Sequence, residues 1–243
     1  MIVFTTLRVS GISIFVAIVF LMLKIKPKRL RLSDYFIALS VVTLLTINII
    51  ELAQMLDVIY SVDDLSEPRL TIAYTLSHVE LWLLFPIIMV FGIEYKTLPS
   101  FLGFIRPRST IGFCSFILIS SCVITGLLGI LFDIELPILQ LIFNILFFTS
   151  VIAFSLSIYA FGGFDNSDIM RLVRGEKKVR YDLIVLHVKI SFSLLLFGIF
   201  VAILYSITYG EYCEAYRFAL YDLAIHTIAI GFTGITISLY LPL

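Results

Sequence analysis

The stretch FALYDLAIHTIAIGFTGITISLYLPL, residues 218–243, decides the fold class of this chain. It is long and apolar enough to cross a bilayer, since a transmembrane helix needs about 20 predominantly apolar residues. It also carries Asp222 and His226, which are four residues apart and therefore share one helical face. Ionisable side chains within a membrane span are costly, so they usually face the interior of a helix bundle. The stretch therefore predicts a helical membrane protein in which other spans surround this one.

The composition of the whole chain also indicates a membrane protein. Of its 243 residues, 60% are hydrophobic and 14% are charged, and the mean hydropathy is +1.10. Soluble domains are typically about 45–50% apolar and about 25% charged, so this chain has more apolar surface than an aqueous core would hide. Lysine plus arginine equals aspartate plus glutamate at 17 each, so the net charge does not indicate a nucleic-acid partner. The sequence has no motif of soluble catalysis such as a Walker A loop.

Seven apolar segments, separated by short charged loops, predict an all-α bundle of seven transmembrane helices. Each segment is long enough to cross a bilayer at 1.5 Å per residue. Short loops favour antiparallel neighbours, so residues 1–243 are expected to form a single transmembrane domain. The predicted spans cover about 4–24, 35–56, 70–93, 110–132, 136–161, 183–207 and 218–242.

The charges of the loops alternate along the chain. The first, third and fifth loops are rich in lysine and arginine, whereas the second, fourth and sixth are predominantly acidic. Because basic loops are retained in the cytoplasm, this pattern predicts an N-terminus outside and a C-terminus in the cytoplasm. The simplest location for such a chain is a prokaryotic plasma membrane, where the lipid bilayer surrounds the bundle.

Four of the spans carry polar residues in the half of the membrane predicted to be outer. These residues are Glu51 in the second span, His78 and Glu80 in the third, Asn144 in the fifth, and Asp222 and His226 in the seventh. The predicted span boundaries place both histidines roughly 12 Å below the outer surface, at 1.5 Å per residue. Two neutral imidazoles that face each other across a bundle are suitable axial ligands for a b-type haem. The chain has three histidines in all, which leaves room for one such haem.

The last span also carries a resemblance to known proteins. The run AspLeuAlaIleHisThrIleAlaIleGlyPheThrGly, which contains His226 and ends at Gly234, resembles helices of the NnrS and haem-copper-oxidase-subunit-I-like membrane proteins. Those helices carry a histidine followed by an apolar run that contains glycine. The resemblance implies an all-helical membrane protein associated with haem or copper, with His226 as a candidate ligand.

These observations predict a membrane subunit or anchor that binds one haem b near the outer face. His78 and His226 would bind the haem iron, and the protein would take part in respiratory electron transfer. The expected partners are a second membrane subunit or an external redox protein, and quinone. With so little mass outside the bilayer, the chain is expected to be a subunit of a redox complex rather than a stand-alone enzyme.

Three other interpretations use the same residues. Glu51, Glu80 and Asp222, with Asn144, are suited to a proton path or a coupling-ion site in a transporter or channel. A non-catalytic structural or assembly subunit would use these polar groups only for pairing within the bundle. A mixed metal site of Glu51, Glu80 and the two histidines is the third interpretation, but no ligand pair with typical metal-site spacing occurs on one helix.

Overall fold

The computed structural model describes residues 10–15, 17–18, 21, 31–60, 72–101, 106–131, 137–161, 177–208 and 214–236. Every regular element within these ranges is a helix, which confirms the all-α class. Most of the first predicted span, 4–24, lies outside the described residues. The predicted count of seven spans and the predicted orientation of the termini therefore stay predictions.

Within the described residues, the structure gives the bounds of six α-helices and one π-helix. The α-helices are α1 (Leu32–Tyr60), α2 (Ile72–Phe101), α3 (Ser109–Leu131), α4 (Pro137–Ser157), α5 (Lys177–Ile207) and α6 (Glu214–His226). The π-helix, Thr227–Gly234, continues directly from α6. Helices α1 to α5 are each long and apolar enough to cross a bilayer, and a shorter apolar helix, Phe218–Gly234, follows them.

The outside of the bundle is apolar, as a lipid environment requires. On α3, for example, large apolar side chains recur at helical spacing on one exposed face, at Phe113, Ile117, Ile124 and Leu128. The backbone polar groups of these residues are satisfied within the helix, so such a face is stable against hydrocarbon. The chain is therefore an integral membrane protein surrounded by a lipid bilayer.

Helix α2 is longer than the sequence predicted. The third predicted span, 70–93, ended just before Glu94, but the helix continues to Phe101 and passes through Pro86 and Pro99. Prolines are tolerated in membrane helices because neighbouring groups satisfy the backbone atoms that proline frees. As a result Glu94 lies within a membrane-spanning helix and not in a loop.

The helices form a closed arrangement of neighbours. Each helix packs on the next one along the chain, α1 also contacts α3, and the π-helix returns to contact α2. One end of the bundle is marked by arginines. Arg31 directly precedes α1, and Arg106 and Arg108 lie between the end of α2 and the start of α3. We call this end the basic end, and the other end, at which α1 and α5 finish, the opposite end.

A layer of phenylalanine rings crosses the bundle in the half nearer the basic end. Phe91 of α2 stacks on Phe154 of α4, with ring centroids 3.9 Å apart. Phe36 of α1, Phe192 of α5 and Phe232 of the π-helix surround this pair, with centroid distances between 5.4 and 6.5 Å. Aromatic pairs of this kind contribute about 0.5–1.5 kcal/mol each beyond the area that they bury. These five buried rings, the phenylalanine layer, fix the relative register of five elements.

A hydrogen-bonded cap joins α3 and α4 at the basic end. Tyr159 follows α4 in the left-handed conformation, with φ 58°, and the N–H of Ala160 donates to the carbonyl of Ser155 at 2.9 Å. This is the geometry of a Schellman C-cap, with tyrosine where glycine is usual. The backbone N–H of Arg108 donates to the carbonyl of Ser157, and its Nε donates to the Tyr159 hydroxyl at 2.6 Å. These bonds hold the left-handed residue in place.

Candidate functional site

Polar side chains from four helices meet between the phenylalanine layer and the opposite end. Nε1 of Trp82 in α2 donates a hydrogen bond to Oε1 of Glu51 in α1, at 3.0 Å. Nε2 of Gln140 in α4 donates to Oε1 of Glu80 in α2, also at 3.0 Å. Both carboxyl groups are partly buried, and each is bonded to a different helix from its own. These contacts join α1, α2 and α4.

Asn144 extends the same set of contacts to α5. Its Nδ2 donates to Oγ of Ser206 at 3.0 Å, and the Ser206 hydroxyl in turn donates to the carbonyl of Ala202. The side chains of Asn144 and Ser206 are buried. Gln140 and Asn144 are one turn apart on α4, so they share a face. We call Glu51, Glu80, Trp82, Gln140, Asn144 and Ser206 the polar layer.

The distance of the polar layer from the phenylalanine layer follows from the number of residues between them on α2 and α4. Glu80 precedes Phe91 on α2 by eleven residues, and Gln140 precedes Phe154 on α4 by fourteen. At 1.5 Å per residue, the polar layer lies about 15–20 Å from the phenylalanine layer. The structure thus brings Glu51, Glu80 and Asn144, three of the residues chosen from the sequence, to a similar level.

The two histidines predicted as haem ligands are at different depths. The π-helix and α2 contact each other at Phe232 and Phe91 and run in the same direction, because each antiparallel step around the bundle reverses the chain. His78 precedes Phe91 by thirteen residues, whereas His226 precedes Phe232 by six. Their α-carbons therefore differ by about 10 Å along the bundle axis. The side chain of His78 lies outside the described side chains.

His226 and Asp222 pair with each other on the outside of the bundle. Nδ1 of His226 lies 3.1 Å from Oδ1 of Asp222 and 2.9 Å from its carbonyl oxygen. The two side chains are 60% and 56% exposed, which differs from the expectation that they face the interior. The reason is that Ala224, Ile228 and Phe232 form the buried stripe of this segment. Asp222 and His226 lie on the face away from that stripe.

The deepest carboxyl group of the described chain is Glu94, which the sequence-based selection of site residues missed. Its side chain is 0% exposed, and neither carboxyl oxygen has a hydrogen-bond partner. It lies three residues beyond Phe91, on the basic side of the phenylalanine layer. A signal for it exists in the sequence: Leu84, Ile87, Phe91 and Leu98 recur at helical spacing, and Glu94 occupies the missing position of that stripe.

The structure leaves the metal and haem predictions open. Among the residues whose placement is described, no group of three or more histidine, cysteine, aspartate or glutamate side chains is arranged to hold a metal ion. Comparison of the chain with protein-family models, curated proteins and solved structures finds no match. Haem ligation by His78 and His226, and the resemblance of the last helix to NnrS and oxidase-like proteins, stay predictions.

Proposed function

We propose that this protein moves protons or couples ion movement across the membrane through its polar layer, as a transporter or channel does. The observation that carries the proposal is the hydrogen bond from Gln140 to Glu80, which holds a carboxyl group between two membrane helices. Acidic side chains within membrane spans are expensive, and they typically mark ion or proton pathways.

The chemistry of the partners also supports proton handling. A neutral amide or indole N–H positions a carboxyl group without supplying a positive charge to neutralise it. Glu80 accepts such a bond from Gln140. An arginine at the same place would form a strong charge-assisted pair and favour one charge state. A carboxyl group with an amide donor keeps both the charged and the neutral form accessible, as a proton carrier must.

Hydrogen bonds of this kind also join further pairs of helices across the bundle. Glu51 on α1 is bonded to Trp82 on α2, Glu80 on α2 is bonded to Gln140 on α4, and Asn144 on α4 is bonded to Ser206 on α5. Polar groups shared by four helices at one level are typical of a site that lines a pathway.

Flux measurements in liposomes test this proposal. The purified protein is expected to carry protons or ions down an imposed gradient, and Glu80→Gln is expected to reduce that flux to the level of empty liposomes. Asp222→Asn is the matched control, since it makes the same acid-to-amide change at an exposed position. Equal flux in wild type and Glu80→Gln, or a loss in Asp222→Asn alone, would overturn the proposal.

Spectra of the same preparations test the haem prediction separately. A b-type α-band in the reduced wild-type protein that disappears in both His78→Ala and His226→Ala would establish haem ligation and favour electron transfer. Protein that shows neither flux nor a haem band, with both histidine variants intact, would point to a structural subunit.

A further inference from the structure

We infer that Glu94 is a second proton-binding site of this protein, on the basic side of the phenylalanine layer. The direction in which protons would move through it rests on the proposed function. The site itself rests on the burial of Glu94, on a second buried polar atom at the same level, and on its position relative to Glu80.

The surroundings of Glu94 determine its charge state. Its side chain is fully buried, and both carboxyl oxygens are without a hydrogen-bond partner. Transfer of an unpaired carboxylate from water to apolar surroundings is far more costly than transfer of the neutral acid. In this conformation Glu94 therefore carries a proton.

Thr236 supplies the second buried polar atom. Its hydroxyl oxygen is buried and has no hydrogen-bond partner. Thr236 lies about one turn beyond Phe232, just as Glu94 lies about one turn beyond Phe91, and the two ring residues are in contact. Because their elements run in the same direction, Glu94 and Thr236 lie at the same level. Unpartnered buried polar atoms are rare, so two residues that carry them at one level need an explanation, and a site that gains and loses a proton provides one.

Glu94 also lies on the same stripe of α2 as Glu80. The two residues are fourteen positions apart, close to four helical turns, so they share a face to within about 40° and are separated by about 21 Å along the axis. Phe91, stacked on Phe154 at 3.9 Å, lies between them. The phenylalanine layer thus separates two carboxyl groups, one on each side of it.

With this placement, a proton can cross the bundle in three steps that use only Glu94, Glu80 and water. Neutral Glu94 releases its proton to water at the basic end and becomes a carboxylate. When the rings separate, neutral Glu80 gives its proton through water to the Glu94 carboxylate. Glu80 then takes a new proton from the opposite end. One proton crosses, both acids return to their starting forms, and no other group is consumed.

Infrared absorption of the protein in lipid vesicles tests the site. Wild type is expected to show the carbonyl absorption of neutral carboxylic acids, and Glu94→Gln is expected to remove the component that comes from Glu94, whereas Glu80→Gln keeps that component. Glutamine preserves the shape of the side chain and cannot ionise. A band that persists unchanged in folded Glu94→Gln protein would overturn the inference.

Three further outcomes would each decide between the site and the proposed transport. If Glu94→Gln does not fold, Glu94→Asp retains the acid and is expected to shift the band, and an unshifted band counts against the site. If Glu94→Gln loses the band but wild type shows no flux, Glu94 is a proton-binding site and the proposed transport is wrong. If wild type shows flux and the band does not depend on Glu94, transport stands and the second site is wrong.

Discussion

A fully buried acid without a partner is a liability that a stable fold would avoid, and Glu94 is such a residue. An unsatisfied buried polar group costs about 1–3 kcal/mol. Substitutions that remove such a cost commonly stabilise a protein, and they reduce function where activity needs the destabilised site. Stability and activity are therefore expected to respond in opposite directions to substitution here.

Glu94→Leu should raise the stability of the protein by about 1–3 kcal/mol, because leucine fills the site without an unsatisfied polar atom. Thermal unfolding in detergent measures this change. Glu80→Leu is the matched control and should lower stability, because it leaves Nε2 of Gln140 without its acceptor. A loss of stability in Glu94→Leu as large as that in Glu80→Leu would show that Glu94 has a partner after all.

The similar depth of Glu51, Glu80 and Asn144 could be predicted from the sequence, but the relative depth of His78 and His226 and the direction in which side chains point could not. The levels of Glu51, Glu80 and Asn144 follow from the helical rise and the span boundaries. Glu94 was missed because the predicted span ended at residue 93, although its position in the apolar stripe was visible. The outward direction of His226 depends on which stripe of its helix packs against α5, and that is a property of the whole bundle.

At the scale of elements, close contact between α1 and α2 depends on Gly92. A Cβ at this position would lie 2.7 Å from Cγ1 of Ile37 and 2.9 Å from the carbonyl oxygen of Ser33. Gly92→Ala should therefore destabilise the protein by about 1–3 kcal/mol, because the two helices must move apart. Unfolding in detergent measures the change.

Gly234→Ala is the matched control for this substitution. Nothing lies within 4 Å of a Cβ added at Gly234. Its effect should stay within about 0.5 kcal/mol, as for most substitutions away from packed positions. Equal losses in the two variants would mean that backbone freedom matters more than close packing.

A pair of serines joins α3 and α4. Oγ of Ser115 donates to the carbonyl of Ser150 at 2.9 Å, and Oγ of Ser150 donates to the carbonyl of Ser115 at 3.1 Å. Hydrogen bonds between membrane helices average about 0.6 kcal/mol in double-mutant cycles. A cycle of Ser115→Ala and Ser150→Ala should give a coupling energy of about that size, whereas fully additive effects would contradict reciprocal bonding.

Helices of membrane-crossing length could be predicted because the length and apolarity of a segment suffice for that. The π-helix could not, because the composition of Thr227–Gly234 suits an α-helix equally well. The contact between that π-helix and α2 was also beyond the sequence, since short loops specify sequential neighbours and leave the others open.

At the scale of the whole molecule, the basic helix ends lie together at one end of the bundle. Labelling from each side of the membrane tests which side that end faces. Arg106 is exposed at the basic end, and Thr208 follows α5 at the opposite end. With the native cysteines replaced, Arg106→Cys should react with an impermeant maleimide only from the cytoplasmic side, and Thr208→Cys only from outside. The reverse pattern would invert the predicted orientation.

The single tryptophan of the chain, Trp82, provides an optical readout of the polar layer. Its indole N–H donates to Glu51 at 3.0 Å, and indole emission shifts in colour when such a bond forms or breaks. Fluorescence of the unlabelled protein therefore follows Glu51 in real time. Stopped-flow mixing would show when this bond changes during transport, without a dye or an engineered probe.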